Sequence, residues 1–301
     1  MILNQQRLIE LPKAAEREVV RSGRREELDP QEEVIRMVLG TWFADFNDAV
    51  GNFPDNYIVF DLETTGTVFG NKANVKGYHD LITQIGHCVV KDRKRVANDG
   101  LILNWYDPQY EGLHEYPDVM TENWLSDSLD RLEQIFEDKG RTYQVPVDRM
   151  RAEGVDPLHV LNFYYKLFMD ARAEAFFFVG HNAHSFDGKF LRYHFQQYLD
   201  KDFKFGANEL LDTGMVEKAS QMPGSNLPWP GDTIKEWSER IYNVPMRVKW
   251  NLDQHCADKY RLMERFQLEG EAHDAGFDCL LTHHLFETYR EIAAKEAGNG
   301  E

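Results

Sequence analysis

The sequence is poor in cysteine, in long apolar runs and in basic charge, and each shortage narrows what it can be. Its three cysteines, Cys88, Cys256 and Cys279, stand far apart with no CxxC pair. That argues against a disulfide framework or a cysteine-based zinc site and suits a reducing compartment. No apolar run approaches the roughly 18 residues that a membrane span needs. The longest candidate, Ala175 to Gly180, has the length of a buried strand, and the N-terminal stretch lacks the apolar core of a signal peptide. Lys and Arg number 34 against 51 Asp and Glu, a net charge of −17. Such a surface does not coat duplex DNA through a broad basic face. A small nucleic-acid site in which metal ions supply the positive charge stays open. The expectation is a soluble, cytoplasmic protein that does not engage membranes.

The remainder is ordinary globular composition, with 42% hydrophobic and 28% charged residues, which excludes wholesale disorder. At roughly 150 residues per domain, the 301-residue chain allows two units or one domain with large insertions. There is no internal repeat or low-complexity tract. Residues 1–56 interleave seven Lys/Arg with eleven Asp/Glu and read as a helical N-terminal extension. Asp29 could cap a helix that starts at Pro30, with Glu32 and Glu33 favoured by the dipole. Val34, Met37, Val38, Trp42 and Phe46 then form one apolar face, which favours packing on the main domain over a free partner-binding arm.

Strands are expected at Tyr57–Asp61, Thr83–Val90, Leu101–Trp105, Phe176–Val179 and Glu209–Thr213. Helices are expected at Pro157–Glu174, Ser185–Tyr198, Asn251–Tyr260 and Asp274–Ala294. Strands first, then alternation with helices, predicts an α/β sandwich with a hairpin-rich first half. Lys91, Arg93, Lys94 and Arg95 read as a solvated hairpin turn, or else as a phosphate-tracking patch. Met222 to Asp232 reads as a proline-rich loop, and residues 297–301 as a frayed tail.

Acids at odd places carry the chemistry. Asp61 and Glu63 end an otherwise apolar strand, and alternation puts both on one side of it. Burying two like charges is costly unless a divalent cation sits between them. Asp187 follows a buried strand and opens a helix, where the dipole favours a carboxylate even without further function. His273 and Asp278 are five residues apart, about 500° on a helix and so not on one face. They converge only if His273 reaches in from a loop before the first turn. Asp274 is the better N-cap and receives no catalytic role. The His283–His284 pair and His184 read as structural.

Three segments together resemble the DEDDh class of 3′–5′ exonucleases, the proofreading-type family with a ribonuclease H-like fold. They read Asp61-Leu-Glu63-Thr64-Thr65-Gly66, then His181-Asn182-Ala-His-Ser-Phe186-Asp187, then His273-Asp-Ala-Gly-Phe-Asp278. Weaker echoes follow in order at Gln84-Ile85-Gly86, Asp212-Thr213 and Leu252-Asp253. The resemblance implies a three-layer α/β/α domain over residues 57–296 with a mixed, roughly five-stranded sheet. Insertions fall near 67–82, 107–146 and 214–250.

It further implies that Asp61, Glu63, Asp187 and Asp278 hold two divalent cations, Mg²⁺ or Mn²⁺, with His273 as general base. Thr64, Thr65, Gly66, His181, Asn182 and Phe186 would contact substrate, with core packing the stronger reading for Phe186. The implied partners are 3′ ends of single-stranded DNA or RNA, with nucleoside 5′-monophosphate as product, and a polymerase or replication partner is open. Trp105, Tyr106, Tyr110, Tyr116 and Trp124 could stack on bases, although packing is the commoner role for such aromatics. An RNA-specific exoribonuclease, or a non-catalytic subunit on the same fold, is the alternative. A zinc hydrolase lacks a suitable His/Cys cluster.

Overall fold

Strict alternation along one strand divides the interior in two. In β1 (Tyr57–Thr64), Tyr57 and Val59 enter one apolar core, while Ile58, Phe60 and Leu62 enter another. The computed structural model describes residues 30–43, 53–67, 79–106, 122–206, 209–221, 234–243 and 251–294. Its sheet is completed by β2 (Ile82–Lys91), β3 (Lys94–Ile102), β4 (Phe177–Gly180) and β5 (Leu210–Asp212), in the order β3-β2-β1-β4-β5. The β1–β2 and β2–β3 pairs are antiparallel; the β1–β4 and β4–β5 pairs are parallel. This is a mixed five-stranded sheet in a three-layer α/β/α arrangement, as the sequence leads one to expect.

The helices, in chain order, are α1 (Pro30–Phe43), α2 (Glu122–Glu137), α3 (Val147–Glu153), α4 (Pro157–Ala173), α5 (Asp187–Leu199), α6 (Thr213–Ser220), α7 (Ile234–Asn243), α8 (Ala257–Lys259), α9 (Leu262–Arg265) and α10 (Ala275–Ala294). A five-residue π-turn, Leu252–Cys256, precedes α8. Residues of α1, α6, α7 and α10 pack on the face that takes Val59. Residues of α2 to α5 pack on the face that takes Phe60. Among the described residues, no helix is long and apolar enough to cross a membrane.

Local chemistry explains most boundaries. Pro157 opens α4 behind Asp156, whose carboxylate accepts from the His159 amide at 2.8 Å. The β2–β3 hairpin turns through Asp92 and Arg93, both at positive φ, the geometry of a two-residue primed turn. The basic run is solvent-facing but straddles that turn, with Lys91 closing β2 and Lys94 and Arg95 opening β3; Lys91 pairs with Glu174 at 3.7 Å and Arg93 with Asp55 at 3.3 Å.

Three expectations need correction. The third strand is Lys94–Ile102, not Leu101–Trp105, and Trp105 is buried with its indole N–H donating to the Ile82 carbonyl at 2.7 Å. The helix expected at Asn251–Tyr260 is broken into the π-turn and a short α8, where the Cys256 amide reaches back five residues to the Asn251 carbonyl at 3.1 Å. The buried face of α1 is Ile35, Val38 and Leu39, with Val34 only half-buried, so the helix is turned relative to the predicted stripe. Asp29, Phe46, Tyr110, Tyr116, the 222–232 loop and the 297–301 tail lie outside the described residues. So does most of each expected insertion near 67–82 and 214–250, and the first part of the 107–146 one.

Because α1 seats Leu39 fully in the core against α6 and α10, it is part of the domain and no loose arm. Leu39→Ala is expected to cost about 2–4 kcal/mol, read as a lower urea midpoint at unchanged m-value. An unaltered midpoint would show that α1 contributes nothing to stability.

Candidate active site

The alternation that sends Val59 toward α10 sends Asp61 and Glu63 the same way. The first turn of α10 lies over this strand end because β2 carries glycine where the helix crosses. A Cβ on Gly86 would sit 2.1 Å from the Ala275 carbonyl oxygen, so no larger residue fits without displacing the helix. Gln84 fastens the same point, accepting from the Ala275 amide at 3.1 Å and donating to Asp274 at 3.0 Å. Asp274 in turn accepts from the Phe277 amide at 3.1 Å, acting as the cap of α10.

Asp278 then follows in the first turn and takes the His273 amide on Oδ2 at 3.1 Å. That contact bends His273 into the left-handed region, φ 67°, and brings its ring in from the loop. The helical spacing had forbidden a shared face for these two residues, and the loop conformation resolves it.

The second segment is built the same way. Asp187 opens α5, and its Oδ1 accepts from the Leu62 amide at 3.1 Å, which ties it to β1. The loop before it is folded around buried Asp212, which accepts from the amides of Asn182 at 2.8 Å and His184 at 3.0 Å. Thr213 donates to the Gly180 carbonyl at 3.2 Å, so His181 Nδ1, at 2.9 Å, is the donor to the Thr213 hydroxyl. The weak Asp212-Thr213 echo is thus the scaffold of the second segment.

These segments line one cavity of about 500 Å³. Asp61, Glu63, Asp187, His273 and Asp278 all face it, joined by Leu62, Thr64, His181, Asn182 and Phe186. Thr65 and Gly66 are not in its lining. Thr65 is buried, bonding Asp80 at 3.1 Å and accepting from the Leu81 amide at 2.9 Å, so its role is to fix the loop rather than to touch substrate. Of the candidate stacking aromatics, Trp105 is core, Tyr106 bonds Ser126 at 2.9 Å, and Trp124 packs half-buried on the core.

Two features of the cavity went unassigned in the sequence. Asn251, Leu252 and Asp253, from the π-turn, form a further wall. Arg141, from the turn after α2, is not itself in the lining but touches two residues that are, lying 2.6 Å from Asp253 and 2.9 Å from His273 Nε2. The Leu252-Asp253 echo hinted at the first. Arg141 sits in a stretch with no periodic signal.

The acids are crowded. Burial raises the pKa of Asp61 well above the usual carboxylate range, and Asp187, Asp278 and Glu63 add to the rise by repulsion. Burial does the same for Glu63, followed by Asp278 and Asp187. Asp187 is pushed up to about 8, mainly by burial, against the pull of its amide donors. Asp278 is pushed up to about 7, again by burial first. The imidazole of His273 is pushed down by burial, partly offset by Asp253.

A hard divalent cation fits this donor set. Ligand atoms of Glu63, His273 and Asp278 lie within 4.8 Å of one another, and Asp278 Oδ1 is buried with no hydrogen-bond partner among the described residues. A buried carboxylate oxygen left without a donor is what a cation would satisfy. No protein-family model matches the chain, and no curated protein matches it.

The crowding has a measurable sign. The folded pKa values of Asp187 and Asp278 lie above the unfolded carboxylate value, so folding takes up protons between the two. Stability of the metal-free protein therefore falls as pH rises from about 4 to about 8. In EDTA the melting temperature is expected to drop between about pH 6 and 8, and less so in Asp187→Asn. Mg²⁺ or Mn²⁺ is expected to raise it most at the upper end by binding the folded state. A melt indifferent to both pH and EDTA would count against a charged four-acid pocket.

Proposed function

We propose that this chain is a metal-dependent 3′–5′ exonuclease of the DEDDh type, soluble and cytoplasmic, which removes nucleoside 5′-monophosphates from single-stranded or frayed nucleic-acid ends. One observation carries the reading. Five residues from three distant segments, Asp61, Glu63, Asp187, His273 and Asp278, line a single cavity. Its volume of about 500 Å³ is in the range of small-molecule sites and has room for one nucleotide.

Asp61, Glu63, Asp187 and Asp278 would hold two Mg²⁺ or Mn²⁺ ions. Bound there, such ions stabilise charge on both the attacking and leaving oxygens of a phosphoryl transfer. The chain supplies the rest. Leu62 and His273 hold Asp187 and Asp278 by backbone N–H groups, so those carboxylates keep one orientation. His273, kept neutral by burial, can take the proton of the attacking water. Thr64, His181, Asn182 and Phe186 line the cavity where the terminal nucleotide would rest. Asn182 adopts φ 63°, a left-handed conformation that Asn tolerates and that recurs at ligand sites.

The test uses 5′-labelled single-stranded DNA and RNA of one sequence with Mg²⁺ or Mn²⁺. The expected result is a ladder shortening from the 3′ end with mononucleotide product. Asp61→Asn is expected to reduce kcat/KM by about three orders of magnitude or more, and His273→Ala by about two to four, with the melting temperature not lowered. Activity surviving Asp61→Asn would place the hydrolysis elsewhere. An inert wild-type protein that still binds 3′ ends would favour a non-catalytic subunit. The ratio of rates on the two strands decides between a deoxyribonuclease and an exoribonuclease.

A further inference from the structure

The contact between Arg141 and His273 is at odds with a base at that position, and the conflict is informative. A guanidinium only donates. With Arg141 Nη1 at 2.9 Å, His273 Nε2 must be the acceptor. The neutral ring then carries its proton on Nδ1, the nitrogen that faces Glu63 Oε1 at 3.9 Å. In this arrangement the nitrogen turned to the acids holds a proton, and the one with a lone pair is covered by an arginine.

Asp253 stands behind the same nitrogen. Its Oδ2 is 3.9 Å from His273 Nε2 and 2.6 Å from Arg141 Nη2. That oxygen is nonetheless buried with no aligned hydrogen-bond donor among the described residues. If the guanidinium withdraws, Nε2–H can bond Asp253. The lone pair then moves to Nδ1 and faces the acids, as in any imidazole oriented by a carboxylate behind it. The exchange leaves the charge of the ring unchanged: one proton leaves Nδ1 for solvent, and one arrives at Nε2 from solvent.

We propose that Arg141 is a latch on His273 that a substrate phosphodiester releases by drawing the guanidinium to itself. The inference rests on the exonuclease reading and deepens it. Arg141 retains access to solvent, with 27% of its side chain exposed. A phosphate offers a guanidinium two parallel charge-assisted bonds, set against a single bond to the neutral His273 ring at 2.9 Å and the ion pair with Asp253 at 2.6 Å. Phe136, edge-on to the His273 ring at 4.8 Å between centroids, comes from the same insertion and keeps the ring in place while its hydrogen-bond partner changes.

Two measurements test this. In metal-free, ¹⁵N-labelled protein, long-range ¹H–¹⁵N correlations report which nitrogen of His273 is protonated, with assignment by loss of the signals in His273→Asn. Wild type and Arg141→Lys are expected to show Nδ1–H; Arg141→Met, which has no donor, is expected to show Nε2–H. Arg141→Ala repeats the measurement if the methionine variant misfolds. An unchanged tautomer in Arg141→Met and Arg141→Ala overturns the latch.

The second measurement compares thymidine 5′-(p-nitrophenyl phosphate), with one phosphodiester and no following nucleotide, with a single-stranded oligonucleotide. Arg141→Met is expected to raise kcat on the small ester several-fold, and to raise KM for the oligonucleotide about tenfold, the loss of one charge-assisted contact. A fall in kcat on both substrates would make Arg141 a support for the base and overturn the latch. If wild type hydrolyses neither substrate while the tautomer still changes, the exonuclease reading fails and the arginine contact stands.

Discussion

Four carboxylates are held where they repel one another, and much of the surrounding structure exists to keep them there. Ligand oxygens of Glu63 and Asp278 lie within 4.8 Å of each other, and like charges at that range cost on the order of 3 kcal/mol even at an effective dielectric near 20. A fold of marginal stability tolerates several such pairs only if the groups are anchored and in part protonated. The anchors are specific. Asp187 and Asp278 each sit in the first turn of a helix, where the dipole favours negative charge. Each also takes a backbone amide, from Leu62 and from His273. Asp61 and Glu63 are fixed by the antiparallel register that places them opposite Gly86 and Gln84. The same two β2 residues seat the start of α10, so one short piece of strand sets the spacing between the first and third segments.

Two of the eight non-glycine residues at positive φ among the described residues belong to the site. Asn182 and His273 are non-glycine residues at positive φ, and both line the cavity. Each conformation is sustained by an acid bonding a nearby amide: Asp212 takes that of Asn182, and Asp278 that of His273. Backbone conformations that cost free energy persist where the surroundings over-determine them, and they gather at sites that bind or react. The π-turn at Leu252–Cys256 belongs with them, since its wider turn carries Asp253 into the cavity wall.

The layered fold and the acidic site were legible because they rest on short-range rules. Period-two alternation in Tyr57–Thr64 put Asp61 and Glu63 on one side, and a buried strand ending at Gly180 located the turn into Asp187. Where the rules lose force, the reading slipped. β3 is an edge strand with four polar or charged residues among its nine, exposed at Lys94 and Arg95. It lacks the apolar alternation that reveals a half-buried strand, although its charges are what protect an edge. In α1 the valine and methionine positions mimic a stripe, but tertiary packing selects Ile35, Val38 and Leu39. Asp253 and Arg141 were missed for a plainer reason. Their roles arise from a contact across 112 residues of chain, and neither the unassigned stretch that holds Arg141 nor the helix expected at Asn251–Tyr260 carries a signal that points to the other.

The placement of positive charge follows the same logic as the placement of acids. At a net charge of −17 the molecule gains no long-range attraction to a polyanion, so recognition under the exonuclease reading has to be local. The end of α2 and the turn after it bring Lys139 and Arg141 near enough to His273 to act on its imidazole, and Phe136 to touch its ring. Cations beside an acidic cavity do two opposed things. They lower the repulsion among the carboxylates, and under the exonuclease reading they would be the first partners that an entering phosphate meets. A lysine or arginine placed deeper would pair permanently with the acids and compete with the divalent ions. One placed farther out would be screened by salt within about 10 Å. Under the exonuclease reading, an arginine between those limits, paired with Asp253 at 2.6 Å, would respond to a substrate's charge and leave the acids free for the ions.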